Sequence, residues 1–239
     1  MAGSMEQIQV NGLRARIARP AQAGKATKGG VLVLPTWMGP TDDTEQVCQS
    51  IAAAGLLALE WDPFSAYPED TSRDDRWEIS QKGSLLDENA LREHVQWREY
   101  MQRELKLERI GVTGFCLGGR MSLSLAAKDP SIQACSVFYG TLWDPVRPHH
   151  LDGAALAADI RCPVQINHPG HDPTTTRATY AKLRRNLESR PGGIPLLWEH
   201  YPEAHHGFMG NAMQDDPFNR SAKAISWPIA LAFFRACLA

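Results

Sequence analysis

Gly114-Phe115-Cys116-Leu117-Gly118-Gly119 constrains this chain more than any other stretch. It follows the apolar run Arg109-Ile110-Gly111-Val112-Thr113 and opens the helical pattern Arg120-Met121-Ser122-Leu123-Ser124-Leu125-Ala126-Ala127. A strand that becomes a helix within so few residues brings the two backbones almost into contact. The positions two residues either side of the apex must then lack bulk, and Gly114 and Gly118 meet that need. Gly119 lets the new helix lie close to the strand. The apex residue, Cys116, is left at a helix N-terminus, where unpaired N–H groups and the helix dipole favour a thiolate. The segment therefore predicts a strained turn presenting an activated thiol.

The surrounding pattern alternates strands and helices. Ile8-Gln9-Val10, Asn11-Gly12 and Leu13-Arg14-Ala15-Arg16-Ile17 read as a hairpin with a two-residue turn. Gly30-Val31-Leu32-Val33-Leu34 is continuously apolar, as a strand buried on both faces requires. A helix is expected over 43–54, a strand over 56–61, and a polar irregular segment over 63–84. Leu91, Val95, Met101 and Leu105 place a long helix before the strand that leads into Cys116. Later strands are expected near 133–139, 164–168 and 195–201, with helices near 175–187 and 221–236. This order predicts an α/β fold with a mostly parallel central sheet and helices on both faces.

Composition excludes several functions. The 239 residues carry 25 Lys and Arg against 27 Asp and Glu, a formal charge of −2. That balance gives no footprint for nucleic acid or an acidic membrane. No window resembles a membrane span or a signal peptide, so a cytoplasmic protein is expected. Residues 1–5 read as a vector-derived leader before one domain over 6–239. The five cysteines are scattered and form no CxxC pair, which suggests neither disulfides nor a zinc ribbon. The histidines at 149, 150, 168, 171, 205 and 206 lack metal-ligand spacing, so no metal or cofactor is expected.

A nucleophile on such a turn needs an acid and a histidine downstream, each leaving a later strand. Asp172 follows Val164-Gln165-Ile166-Asn167-His168-Pro169-Gly170-His171, and His206 follows Leu197-Trp198-Glu199-His200-Tyr201 in Pro202-Glu203-Ala204-His205-His206-Gly207-Phe208. The imidazole would move a proton and the carboxylate would fix its tautomer. Asp152 and Asp159 are weaker candidates because neither closes a clear strand.

With these pieces in place the chain resembles the dienelactone hydrolase family, the cysteine-nucleophile (carboxymethylenebutenolidase-like) branch of the α/β-hydrolase fold. The matching segments are Gly114–Gly119, the Asp172 loop, Tyr201–Phe208, Leu34-Pro35-Thr36-Trp37-Met38-Gly39 and Trp61-Asp62-Pro63-Phe64. The resemblance selects His206 over His205, because the family's histidine precedes a small-aromatic pair. It implies attack by Cys116 on an ester or lactone carbonyl, a thioester acyl-enzyme, and an oxyanion held by the N–H groups of Trp37 and Leu117. Thr36, Trp61, Phe64, Tyr67, Tyr139 and Phe208 are the candidate substrate-binding residues, and Trp143 joins the same aromatic set.

Two departures follow from the same alignment. Thr36 occupies the position of a family glutamate that contacts the resting cysteine, and Glu60 or Asp62 could fill its place. The family's two carboxylate-binding arginines are replaced by Pro63-Phe64-Ser65-Ala66-Tyr67 and Gly207-Phe208-Met209-Gly210. Arg73 and Arg76 read as solvated loop cations. Uncharged substrates are therefore expected. An acyltransferase or thioesterase on the same residues, and a hydrolase fold kept as a binding module, remain as alternatives. The expected partner is a small organic ester or lactone, acted on by a monomer or weak homodimer.

Overall fold

The computed structural model describes residues 5–21, 28–81 and 85–239. Residues 1–4 of the expected leader over 1–5, and 82–84 of the expected irregular segment, lie outside the described residues. The first hairpin is β1 (Glu6–Val10) and β2 (Leu13–Ala18), with Val10 opposite Leu13. Its turn places Asn11 and Gly12 at φ of 53° and 83°, the left-handed pair that Asn-Gly adopts most readily.

The remaining strands are β3 (Gly29–Leu34), β4 (Leu57–Trp61), β5 (Arg109–Phe115), β6 (Ile132–Phe138), β7 (Val164–His171) and β8 (Leu196–His205). They form one eight-stranded sheet in the order β1-β2-β4-β3-β5-β6-β7-β8. The pairs β1–β2 and β2–β4 are antiparallel and all others parallel. Successive residues of the central strands feed opposite faces. Leu32 and Leu34 enter one apolar cluster, Val31 and Val33 the other. This is why these strands read as unbroken apolar runs.

Helices α1 (Asp42–Ala53) and α7 (Pro217–Leu238) cover the Val31 face. The Leu32 face packs against α3 (Asp87–Arg103), α4 (Leu117–Lys128), the short α5 (Gly153–Leu156) and α6 (Arg177–Glu188). The expected irregular segment contains a helix, α2 (Arg73–Gln81). Its sequence is too polar to announce a core face, yet Ile79 packs on the core and Trp77 sets its ring edge-on to Trp37 at 4.9 Å. None of the described helices is long and apolar enough to cross a membrane.

From β3 the chain moves outward to β4 and then returns to lay β5 on the other side of β3. The loops leaving β3 and β5 diverge there, opening a crevice at the strand C-termini. The register sets Leu34 opposite Gly114. The residues that follow, Pro35-Thr36-Trp37 and Cys116-Leu117, therefore emerge side by side.

The contact at this point leaves no room for side chains. A Cβ on Gly118 would stand 2.1 Å from the Leu34 carbonyl oxygen, and one on Gly114 would stand 2.1 Å from the Gly118 carbonyl oxygen. Both neighbours are backbone and cannot swing away. Gly118→Ala must therefore part β3 from α4, at a cost of about 3 kcal/mol or more. Urea denaturation checks this: the midpoint should fall sharply, and a midpoint equal to wild type would mean that the turn opens freely.

Candidate active site

Cys116 sits between β5 and α4 with φ 55° and ψ −112°, a left-handed conformation that a side-chain-bearing residue rarely adopts. Its N–H donates to the Phe138 carbonyl of the neighbouring strand at 3.1 Å. Its own carbonyl accepts from Thr141 N–H at 2.9 Å. These bonds fix the turn against β6 and leave the sulfur pointing past the sheet, half-buried. The Leu117 N–H, first of α4, also acts on the sulfur.

The other two chemical groups arrive from β7 and β8. Asp172 follows the last residue of β7, and His206 follows the last residue of β8. His206 N–H donates to the His171 carbonyl at 3.0 Å, so the two strand ends hold each other. Nδ1 of His206 lies 3.0 Å from Asp172 Oδ1. The carboxylate is itself well held: Oδ1 accepts from the N–H groups of Thr174 and Thr175 and from the Thr174 hydroxyl, and Oδ2 accepts from the Tyr180 hydroxyl at 3.0 Å. Nε2 of His206 is buried and has no hydrogen-bond partner among the described residues. It is the free nitrogen of the site.

Charge distribution follows from these contacts. Burial alone would raise the Asp172 carboxyl, but the hydrogen bonds and charge of His206, with Thr174, bring it below its ordinary value. Burial alone would lower His206, and Asp172 and Cys116 together carry it up to about 10. Burial alone would raise the Cys116 thiol, and His206, the Thr141 hydroxyl and Leu117 N–H outweigh it, so the thiol falls below its ordinary value. The three shifts run together toward a carboxylate, an imidazolium and a thiolate.

A cavity of about 260 Å³ opens over the sulfur. Its wall includes Thr36, Trp37, Met38, Val47, Phe115, Tyr139, Met209 and Met213 with Cys116 and His206. Asp43 is the one carboxylate in this wall, and no Lys or Arg lines it. Of the expected substrate-binding residues, Thr36 and Tyr139 line the cavity, and Tyr139 sets its ring edge-on to His206 at 5.2 Å.

Trp61, Phe64, Tyr67 and Phe208 do not line it. Trp61 points to the α3 side, donating from Nε1 to Glu93 at 2.8 Å. Phe64 is buried beneath the Arg76 guanidinium, 5.0 Å from its ring centre, and Tyr67 packs beside Phe64. Phe208 is fully buried against Phe138 and Tyr139, one layer under the cavity. A strand exit tells that an aromatic residue is near the sheet's C-terminal edge; it does not tell which face receives the ring. Trp143 likewise stacks away from the cavity, against Arg120 and Arg147.

Trp37 N–H belongs to the loop after β3, whose turn is closed by Gly39 N–H donating to the Thr36 carbonyl at 3.0 Å. Among the described residues Trp37 N–H has no hydrogen-bond acceptor. The pattern missed Thr141, Thr174, Tyr180 and Asp43. Thr174 carried a usable signal, since Asp172-Pro173-Thr174-Thr175 has the spacing of a side chain bonding its own backbone two residues on. Asp152 has a structural job, capping α5 and pairing with Lys182 at 2.8 Å. Asp159 closes the 3-10 turn after α5.

A sequence profile of the Dienelactone hydrolase family matches residues 13–238. The chain belongs to the dienelactone hydrolase family. Its relatives include a Bradyrhizobium protein named "Probable 2-oxo-3-(5-oxofuran-2-ylidene)propanoate lactonase", 26% identical over 226 residues that span 92% of this chain and 88% of the relative. An Aquifex aeolicus "Putative carboxymethylenebutenolidase" is 23% identical over 251 residues, 99% of each chain. Among solved structures, a "Putative Dienelactone Hydrolase" from Klebsiella pneumoniae superposes with a TM-score of 0.79 at 22% identity, over 93% of this chain and 92% of that one. The superposition shows the shared fold. As a dienelactone hydrolase family member, the chain is a hydrolase of carboxylic esters or lactones.

The two departures from the family pattern are visible in the site. Thr36 lines the cavity and its Oγ1 accepts from Met38 N–H at 3.3 Å. Glu60 is held by Arg16 at 2.7 Å and Asp62 by Arg14 at 2.8 Å. The sulfur's electrostatic partners are His206, Thr141 and Leu117 instead. Arg76 is no solvated cation: it donates to the carbonyls of Met38, Thr71 and Glu69.

These charges predict the pH dependence of the thiol. Cys116 should alkylate at its full rate well below pH 8.5, the midpoint of a free thiol. The rate should fall only as acid protonates the sulfur below that lowered midpoint. His206→Ala removes the imidazolium and should move the midpoint up, and Thr36→Glu should do the same by placing a second anion in the cavity. Iodoacetamide kinetics against pH decide the matter; a wild-type midpoint at or above 8.5 would refute the resting ion pair.

Proposed function

We propose that this enzyme hydrolyses small uncharged esters or lactones through a thioester on Cys116, with His206 carrying the proton and Asp172 orienting it. One observation carries the reading. Cys116 in its left-handed turn and a carboxylate-held His206 line one cavity, Trp37 lines it too, and Leu117 N–H acts on the sulfur.

The chemistry runs as two displacements. The thiolate attacks the substrate carbonyl carbon, a C–S bond forms, and the carbonyl electrons move onto oxygen. Trp37 and Leu117 N–H groups receive that oxyanion. Its collapse breaks the C–O bond, and the alkoxide takes the proton from His206 Nε2. In a lactone the alcohol stays tethered to the acyl group. Neutral His206 then takes a proton from water, hydroxide adds to the thioester carbon, and the C–S bond breaks. The carboxylic acid leaves while Cys116 and His206 return as thiolate and imidazolium. Because the resting sulfur is already ionised, the first step needs no base.

Substrate charge follows from the wall. An anionic acyl group would meet Asp43 and the thiolate with no arginine to offset them. An apolar acyl group would meet Trp37, Val47, Phe115 and three methionines, whose flexible side chains adapt to varied shapes. The relative named as a lactonase acts on a carboxylate-bearing ring by its name; the cavity here supports neutral substrates.

Two measurements test the reading. Cys116→Ala and His206→Ala should each lower kcat on the best substrate by roughly a thousandfold or more without unfolding the protein, and the double variant should be little worse. Asp172→Asn should retain more activity, since it orients and does not react. Near wild-type turnover in either alanine variant would overturn the assignment. In a panel of matched esters, neutral members should exceed carboxylate-bearing ones in kcat/KM, with Asp43→Asn narrowing the gap. A strong preference for the anions would refute the charge argument.

A further inference from the structure

The Cys116 sulfur has a second polar side-chain neighbour besides His206. It lies 3.2 Å from the hydroxyl oxygen of Thr141, a nearly buried residue just past β6. We propose that Thr141 is a positioning residue for the nucleophile, its hydroxyl donating to the resting sulfur alongside His206. The inference rests on the reading of Cys116 as nucleophile.

The position of that hydroxyl is set from two sides. Thr141 N–H donates to the Cys116 carbonyl at 2.9 Å, tying it to the turn itself. Its carbonyl accepts from Arg120 Nη1 at 3.3 Å. Arg120 is fully buried and gripped by Asp87 through two bonds of 3.1 and 2.9 Å, so it is a rigid post. On the other flank, the Thr175 hydroxyl donates to the Gly140 carbonyl at 2.8 Å and accepts from Leu142 N–H at 2.8 Å. Thr175 N–H in turn donates to Asp172 Oδ1. A route of hydrogen bonds thus joins acid to nucleophile without passing through His206.

The direction of the bond follows from the charges facing it. A thiolate can only accept, and the threonine hydroxyl has one proton to give. Facing the sulfur are the His206 imidazolium, the Leu117 N–H and this hydroxyl; the Asp172 carboxylate lies beyond His206. Thr141 is therefore the uncharged side-chain donor of the set. A donor to the ground-state thiolate stabilises it, and the bond must loosen as the sulfur turns its electron pair on a carbonyl carbon. Its loss should therefore reduce how much thiolate exists at low pH more than how fast each thiolate reacts.

Thr141→Val keeps the shape and removes the hydroxyl. In the full-length enzyme the alkylation midpoint of Cys116, followed by mass, should rise by about 0.5–1 pH unit, equivalent to roughly three- to tenfold less thiolate at a fixed acidic pH. The acid limb of kcat/KM should shift with it while the plateau stays within about threefold. Thr141→Ser should restore both midpoints. A merely structural threonine would lower the Tm and leave the midpoints in place. If Thr141→Val does not fold, Thr141→Ala is compared with Thr141→Ser on the same readout. A midpoint unmoved in the folded hydroxyl-free variant, or moved equally in Thr141→Ser, overturns the proposal. Alkylation needs no turnover, so this result stands apart from the fate of Cys116→Ala in the activity assay.

Discussion

Leu34, Gly114 and Gly118 meet backbone to backbone, with carbonyl oxygens where side-chain carbons would otherwise stand. Gly118 N–H donates to the Pro35 carbonyl at 3.1 Å across this contact. Three consequences follow from so close an approach. The chain must reverse at Cys116 through a left-handed conformation, which aims its side chain out of the turn. The first N–H of α4 is left facing that side chain. The loop after β3, which carries Trp37, is drawn alongside. One steric constraint thereby brings together the candidate nucleophile, a helix N-terminus and the loop of the second candidate oxyanion donor, and the strain at Cys116, on the order of 1–3 kcal/mol, is offset by the packing that imposes it.

The electrostatics of the site depend on a different economy. A buried carboxylate, imidazolium and thiolate would each be costly alone, since desolvation acts against every charged form. They stabilise one another because Asp172 is bonded to His206, the Thr141 hydroxyl lies 3.2 Å from the sulfur, and the carboxylate is saturated. Asp172 receives two backbone N–H groups and two hydroxyls besides His206. Behind Thr141, Arg120 and Asp87 form a second buried pair, with His150 bonded to both. Removing one partner of such a pair leaves an uncompensated buried charge and costs about 3–5 kcal/mol. Damage at Asp87 would reach Cys116 through Arg120 and the 140–142 segment, although Asp87 lies outside the cavity wall.

The parts of this arrangement legible in the sequence are those written in local backbone chemistry. Glycines at fixed distances from Cys116 announce the turn, and Asp172 and His206 each follow an apolar run by only a few residues. The Asn11-Gly12 hairpin and the doubly buried strand at Val31–Leu34 are local in the same sense. What escaped depends on distant packing. The ring of Trp61 turns to α3 because Glu93 waits there, and Phe208 sinks beneath Tyr139 because Phe138 lies below. Arg76 has the spacing of a solvated cation but reaches three carbonyls that only the folded loop gathers. Thr141 is a plain residue after a strand; its meaning comes from Thr175 and Arg120, 34 positions later and 21 earlier in the chain.

The cationic side chains nearest the cavity serve the oxyanion loop rather than a substrate. Arg76 bonds the Met38 carbonyl at 2.7 Å, and Arg73 lies 5.7 Å from the centre of the Trp37 ring that Trp77 meets edge-on. Helix α2 thus braces the segment that carries the candidate oxyanion donor Trp37. On the proposed reading this arrangement also helps turnover finish. Hydrolysis turns a neutral acyl group into a carboxylate and regenerates the thiolate in the same small space. With Asp43 in the wall and Arg76 committed to backbone carbonyls, the product meets two negative groups, opposed among the described lining residues by the His206 imidazolium. An uncharged substrate enters without that repulsion. On that reading, the same distribution of charge that disfavours anionic substrates also favours departure of the acid product.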